Sequence, residues 1–332
     1  MRAFVVEQPG QVDLREWPTP DVDSGGVLVR PLLAGMCGTD LELIDGTIDP
    51  AYVRYPLVLG HEWVGELDGS SKNSPSRVVV EGIIPCDQCE ACARGATNLC
   101  STYEEIGFTQ PGALADLISV PASLVHRLAD TVDVNDAVLI EPMAVVWRAL
   151  TRLPVRKGQN VAVIGDGTIA LLTVHLLRLF EPSRVTMFGR RGEQEKLATR
   201  AGADEFVLSP PTSRFDLVVE AAGTGEAVAH ALTMCARGGM VILLGLPPHG
   251  TQVSFAPDDL VNDDIIIQGS FSYTREAFAD VVNRVNSGDL RPSFVITHRF
   301  TLEHVDEAVA ALRGGSNDRE PRGKVVVEIA AH

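Results

Sequence analysis

The sequence predicts a two-domain α/β protein, a mostly β region followed by a doubly wound parallel sheet. Its 332 residues exceed one ordinary domain and suit two, each burying its own core. From Met1 to about Glu141, short β-branched runs are broken repeatedly by Gly and Pro. After Lys157-Gly158 the rhythm changes to strand and helix patterns in alternation, as expected of a parallel sheet built from βαβ units.

In the first region, Gly26-Val27-Leu28-Val29-Arg30 and Ser76-Arg77-Val78-Val79-Val80 have the make-up of strands, and helices are scarce. The second region opens with a buried strand at 161–164, an apolar helix at about 168–180 and a strand at 185–188. A helix near 193–201, a strand at 216–219, a helix near 226–235 and strands at 240–244 and 264–268 continue the alternation. A helix at roughly 274–287 leads to a tail whose last strand, 323–329, returns to the first domain. The expected boundaries are residues 1–142 with 275–332 for one domain and 143–274 for the other.

Hydrophobic residues make up 45% of the chain and charged residues 22%, the balance of a soluble globular protein. The net charge of -16 repels phosphates and anionic headgroups, so neither nucleic acid nor membrane is an expected partner. No segment approaches the ~18 apolar residues of a span and the N-terminus has no signal-like run, which predicts a cytoplasmic location.

Four of the six cysteines crowd into one short stretch, Cys86, Cys89, Cys92 and Cys100. A reducing compartment keeps thiols free, so this spacing points to zinc rather than to disulfides. Four sulfurs complete a tetrahedral shell, which makes the site structural, with no vacancy for substrate.

A second group is scattered: Cys37 in Gly35-Met36-Cys37-Gly38-Thr39-Asp40, His61 with Glu62 in Leu59-Gly60-His61-Glu62-Trp63, and Glu141 in Leu139-Ile140-Glu141-Pro142. Singly, such residues are ordinary core or surface groups. Together, one thiolate, one imidazole and one carboxylate leave the fourth position open, as a catalytic zinc requires.

Gly165-Asp166-Gly167-Thr168-Ile169-Ala170 follows a strand and opens a helix, the context that a dinucleotide fingerprint needs. Its glycines let the backbone approach pyrophosphate at a helix N-terminus. At the end of the next strand the chain reads Phe188-Gly189-Arg190-Arg191, with glycine where an acid would bind the ribose of NAD. Removing that carboxylate and supplying two guanidinium groups favours NADP over NAD. Glu220-Ala221-Ala222-Gly223 and Leu244-Gly245-Leu246-Pro247 end two further strands on the carboxyl edge, where ligands of such sheets bind.

Gly60-His61-Glu62, the four-cysteine loop and the fingerprint, in this order, resemble the zinc-containing medium-chain alcohol dehydrogenases over nearly the whole chain. The resemblance implies a GroES-like catalytic domain that binds two zinc ions and a Rossmann nicotinamide-binding domain. It matches Cys37 and His61 to the first two catalytic ligands and Glu141 to the third, a glutamate typical of the polyol and sugar branch; Glu62 is an alternative ligand. Asp40 is implied to accept a hydrogen bond from His61, and Thr39 to take the substrate proton. Glu42 stands where many relatives pass that proton to a His. Leu246 and Ser270 are implied to lie near the nicotinamide.

The resemblance further implies a homodimer or homotetramer acting on a small alcohol or carbonyl compound, with sugar, polyol and cyclitol alcohols leading. Two other readings remain, a metal-free enone or quinone reductase of the same fold and a catalytically inactive nucleotide-binding relative. Cys235 and His126, His175, His230, His298 and His304 have no ligand-like neighbours in sequence, and Trp63 and Trp147 suit packing as well as a substrate cleft.

Overall fold

The computed structural model describes residues 1–22, 25–69, 76–153, 155–314 and 320–329. The chain divides into two compact units: Met1–Glu141 is joined in the first by the chain from Tyr273 and by the final strand, and the second begins at Pro142 and ends at Ser272, with a short later return.

The first unit is built on a seven-stranded sheet. Its middle is the long strand Gly26–Met36, flanked on one side by Glu62–Leu67 and then Arg77–Val80, and on the other by Lys324–Glu328 and then Ile296–Thr301. Strand Lys324–Glu328 is buried over its first four residues, Lys-Val-Val-Val, and pairs antiparallel with Gly26–Met36. Phe4, Leu43, Leu59, Trp63, Ile106 and Leu114 pack with Val29, Ala34, Val325 and Val327 of its strands into one core.

The helix Gly38–Asp45 in this unit carries few sequence signals because its cap is unusual. Cys37 occupies the N-cap, its sulfur accepts from the Thr39 N–H, and the Asp40 carboxylate accepts from the Cys37 N–H, a reciprocal capping box. Gly46, with φ 71°, ends the helix in the left-handed conformation that glycine adopts without a Cβ penalty. A second unanticipated helix, Ile140–Arg152, starts one residue before Glu141.

The second unit is a six-stranded parallel sheet. Numbering its strands along the chain (Asn160–Ile164, Arg184–Phe188, Glu205–Val207, Phe215–Glu220, Cys235–Leu243, Ile266–Gly269), their spatial order is 3-2-1-4-5-6, which is the doubly wound dinucleotide-binding arrangement. The apolar helix follows the first strand as Thr168–Leu177 and tightens into a 3-10 turn at Arg178–Phe180. Cys235 falls not at the end of a helix but at the start of a strand, because helix Gly225–Met234 stops one residue earlier. Among the described residues no helix is long and apolar enough to cross a membrane.

Candidate active site and metal centres

Three elements of the first unit bring the scattered ligand set together. Cys37 sits at the helix cap just beyond strand Gly26–Met36, and His61 immediately precedes the neighbouring strand that Glu62 opens. Cys37 Sγ lies 3.2 Å from His61 Nε2, and His61 Nε2 lies 4.0 Å from Glu62 Oε1. One ligand atom from each of Cys37, His61 and Glu62 lies within 4.8 Å of the others. Two donors on a tetrahedral zinc, each about 2.0–2.3 Å from the ion, stand roughly 3.5 Å apart, so this spacing fits the metal.

His61 Nδ1 faces Asp40 Oδ1 at 3.5 Å, and neither buried atom has another partner among the described residues. A carboxylate behind the ring fixes the tautomer and leaves Nε2 free to ligate. Thr39 is half-buried in the first turn of the same helix, two residues from Cys37, and Glu42 follows in the next turn, where burial pushes its carboxyl up.

Glu141 stands outside the mutually close trio but within electrostatic reach of Glu62, His61 and Lys324. Burial, reinforced by the charge of Glu62, pushes its carboxyl up to about 8, against the pull of His61 and Lys324. Glu105, between His61 and Glu141 in sequence, is likewise pushed up to about 7 by burial, with His61 opposing. Glu62, Glu105 and Glu141 thus all act on the electrostatics around His61, and a bound cation would be a large local charge of opposite sign to them.

The chain supplies a counter-charge from its final strand. Lys324 and Glu62 form an ion pair, with side chains 2% and 3% exposed. Burial works against the Lys324 ammonium, but Glu62, Cys37 and Glu141 outweigh it and raise its pKa. The pair crosses Gly35: a Cβ built there would meet Glu62 Oε2 at 2.6 Å and Lys324 Cε at 2.8 Å. Register explains the arrangement, because Gly35 is the partner of Glu62 on one side and of Val326 on the other.

The Cys86, Cys89, Cys92 and Cys100 sulfurs also lie within 4.8 Å of one another, all as free thiols. Cys89 and Cys92 sulfurs are 3.5 Å apart and those of Cys86 and Cys92 4.0 Å, close to the roughly 3.8 Å edge of a zinc tetrathiolate. Backbone N–H groups of Gln88 and Cys89 lower the Cys86 thiol to about 6, whereas burial and the adjacent Cys89 sulfur push Cys92 up to about 12. Four crowded thiols cannot all ionise without a cation, and the geometry suits one.

In the second unit, Gly165 has φ 125°, and a Cβ there would meet the Ala221 backbone at 3.0 Å. Gly167 is the N-cap of helix Thr168–Leu177, so the N–H groups of Thr168 and Ile169 lie in its first turn, where no helical acceptor exists. That is the anion cradle the fingerprint requires. Gly245 is pinned against the neighbouring loop: its N–H donates to the Glu220 carbonyl, and a Cβ there would meet Gly223 N at 2.2 Å. Leu246 is 72% exposed, and Ser270 carries a buried hydroxyl with no hydrogen-bond partner among the described residues. The turn after the second strand holds Gly189, an exposed Arg190 and a half-buried Arg191.

Residues 23–130 match the family model of the alcohol dehydrogenase GroES-like domain, and residues 134–328 match that of the glucose dehydrogenase C-terminus. The chain belongs to the zinc-dependent medium-chain dehydrogenase/reductase family. It is 28% identical to L-galactonate-5-dehydrogenase of Escherichia coli, over 96% of this chain and 97% of that protein. It is 30% identical to L-threonine 3-dehydrogenase of Streptomyces coelicolor, over the full length of both. A zinc-binding dehydrogenase of Sinorhizobium meliloti solved with NADP superimposes with a TM-score of 0.89 at 26% identity, covering 99% of each chain.

This medium-chain dehydrogenase is therefore an NAD(P)-dependent oxidoreductase of alcohol and carbonyl groups. Sequence reasoning missed Lys324, Gly35 and Glu105 in its site. The one available signal was the lysine opening an otherwise apolar terminal strand, Lys324-Val325-Val326-Val327, where a buried position is expected to be apolar.

Proposed function

We propose that the protein interconverts a secondary alcohol and a ketone of a sugar, polyol or cyclitol, with NADP preferred over NAD and two zinc ions per chain. The observation that carries this reading is the convergence of Cys37, His61 and Glu62, backed by Asp40 and flanked by Glu141. Cys37 and His61 hold the catalytic ion with Glu141 as the third ligand, and Glu62, whose carboxylate lies closest to the other two, is the alternative. Cys86, Cys89, Cys92 and Cys100 hold the structural one. Zinc, when bound at the first site, supplies Lewis acidity that lowers the pKa of an alcohol and polarises a carbonyl.

The chain's own residues do the rest. Asp40 fixes the His61 ring, Lys324 neutralises Glu62, and Thr39 takes the proton of the substrate hydroxyl. Gly165, Gly167, Thr168 and Ile169 seat the pyrophosphate. Gly189, Arg190 and Arg191 form the adenosine end of the site, and Gly245, Leu246 and Ser270 border the nicotinamide.

The edge strand Ile266–Gly269, with Ile266 and Ile267 exposed, supports pairing of two copies into a homodimer or homotetramer. The acidic balance and the thiol-rich metal loop support a cytoplasmic location and a small-molecule partner rather than nucleic acid or membrane.

The test is a screen of sugars, polyols, cyclitols and simple alcohols with both NAD and NADP on zinc-loaded protein, read by the absorbance of the reduced nicotinamide. Turnover of a polyhydroxy alcohol is expected. Turnover of enones or quinones alone, without bound metal, favours the metal-free reductase, and nucleotide binding without any turnover favours an inactive relative.

A further inference from the structure

The middle residue of the fingerprint is an aspartate, and its carboxylate is fully engaged. Asp166 Oδ2 accepts from the backbone N–H groups of Arg190, at 2.8 Å, and Arg191, at 3.0 Å. Asp166 Oδ1 accepts from Arg191 Nη2, at 2.8 Å, and Nε, at 3.2 Å. A carboxylate offers about four lone-pair sites, and four donors fill them. The Asp166 carbonyl is occupied as well, by Arg191 Nη2 and by Gln194 Nε2, and Gln194 is in turn held by both backbone groups of Arg322.

The same aspartate also fills space. A Cβ on Gly189 would lie 2.7 Å from Asp166 Cβ and 2.7 Å from the tip of the Phe206 ring. The position that carries a ribose-binding acid in NAD-selective sheets therefore has no room for a side chain. Arg190, by contrast, is exposed, and its guanidinium has no hydrogen-bond or ion-pair partner among the described residues.

We propose that Asp166 is the positioning residue for nucleotide choice: with Phe206 it blocks Gly189 from bearing an acid, and it ties up Arg191 as a strut, leaving Arg190 to meet the 2′-phosphate. This rests on the NADP reading above and divides the labour between two adjacent arginines that the sequence treats as equivalent. Arg191 shapes the turn and Arg190 discriminates. Asp166, with no acceptor capacity left, does not bind ribose hydroxyls itself.

The test measures dissociation constants of 2′,5′-ADP and 5′-ADP by calorimetry on the zinc-loaded protein, where the ratio of the two isolates the phosphate. Wild type is expected to prefer 2′,5′-ADP; equal affinities overturn the NADP reading and this inference with it. Arg190→Ala is expected to lose about ten- to a hundredfold in 2′,5′-ADP affinity with 5′-ADP unchanged. Arg191→Ala is expected to weaken both ligands by a similar factor and so leave the ratio intact. If Arg191→Ala erases the preference while Arg190→Ala keeps it, the inference fails although the NADP reading stands.

Gly189→Asp alone is expected not to tighten 5′-ADP, whereas Gly189→Asp with Asp166→Gly shifts the ratio toward 5′-ADP. A single Gly189→Asp variant that gains about tenfold for 5′-ADP removes the steric half of the argument. Should that variant fail to fold, the arginine pair still decides the question.

Discussion

Lys324 and Glu62 pair in the interior across Gly35, with strand Gly26–Met36 lying between the two strands that carry them. Removing one partner of a buried ion pair leaves an uncompensated charge, which destabilises by about 3–5 kcal/mol. Lys324→Met is expected to lose stability on that scale in denaturant unfolding at fixed zinc concentration. Gly35→Ala is expected to be destabilising too, because its methyl occupies the crossing point. Unchanged unfolding midpoints in both variants would show that the pair contributes nothing to the fold.

Cys37→Ala and His61→Ala each remove a donor from the proposed catalytic site. Loss of several kcal/mol of charge stabilisation in the transition state predicts a fall in kcat/KM of about 10³-fold or more. Circular dichroism and nucleotide affinity are expected to stay near those of wild type, since neither residue belongs to the second unit. Retained turnover in either variant contradicts the assignment.

The four-cysteine loop is expected to be held by its ion, because its short elements, Glu90–Ala93 and Thr97–Leu99, bury little apolar surface. Cys89→Ser is expected to lower the melting midpoint by about 5 °C or more, at roughly 2–4 °C per kcal/mol. Metal analysis should record loss of this ion while the Cys37 site keeps its own. Equal melting of variant and wild type, both in excess chelator, is part of the same expectation.

Acid sensitivity should be traceable in part to Asp166. Burial opposes its charge, but the Arg191 guanidinium and the N–H groups of Arg190 and Arg191 prevail and hold its pKa below the ordinary carboxylate value. A depressed folded pKa contributes stability that is complete above the unfolded value of about 3.9 and is lost as the pH falls through the folded one. Wild type should therefore lose stability below about pH 4 more steeply than Asp166→Asn. Parallel pH profiles of the two would remove Asp166 from the account.

Cys235 gives a check on the remaining thiol. Burial, helped by Asp216 and Asp263 and opposed by Arg214, pushes it up to about 11. The reactive thiolate is therefore scarce near neutral pH, and folded, zinc-loaded protein should resist alkylation at Cys235 until denatured. Rapid labelling by peptide mapping would show that the strand start opens to solvent.

The two-unit α/β architecture, the cysteine loop and the fingerprint are legible along the chain, because each is written in local patterns: period-two and helical alternation, close thiol spacing, and glycines at a strand-to-helix turn. Helix Gly38–Asp45 escaped that reading because a cysteine serves as its cap, and helix Ile140–Arg152 because its first turn reads as a ligand motif. The remaining features depend on strand register and on residues far apart along the chain. Antiparallel pairing sets Lys324 over Gly35 beside Glu62, folding brings Glu105 and Glu141 into the field of His61, and Asp166 takes up Arg191 while Arg190 stays free. No window of sequence holds these pairs together, so their charges and clashes appear only once the sheets are assembled.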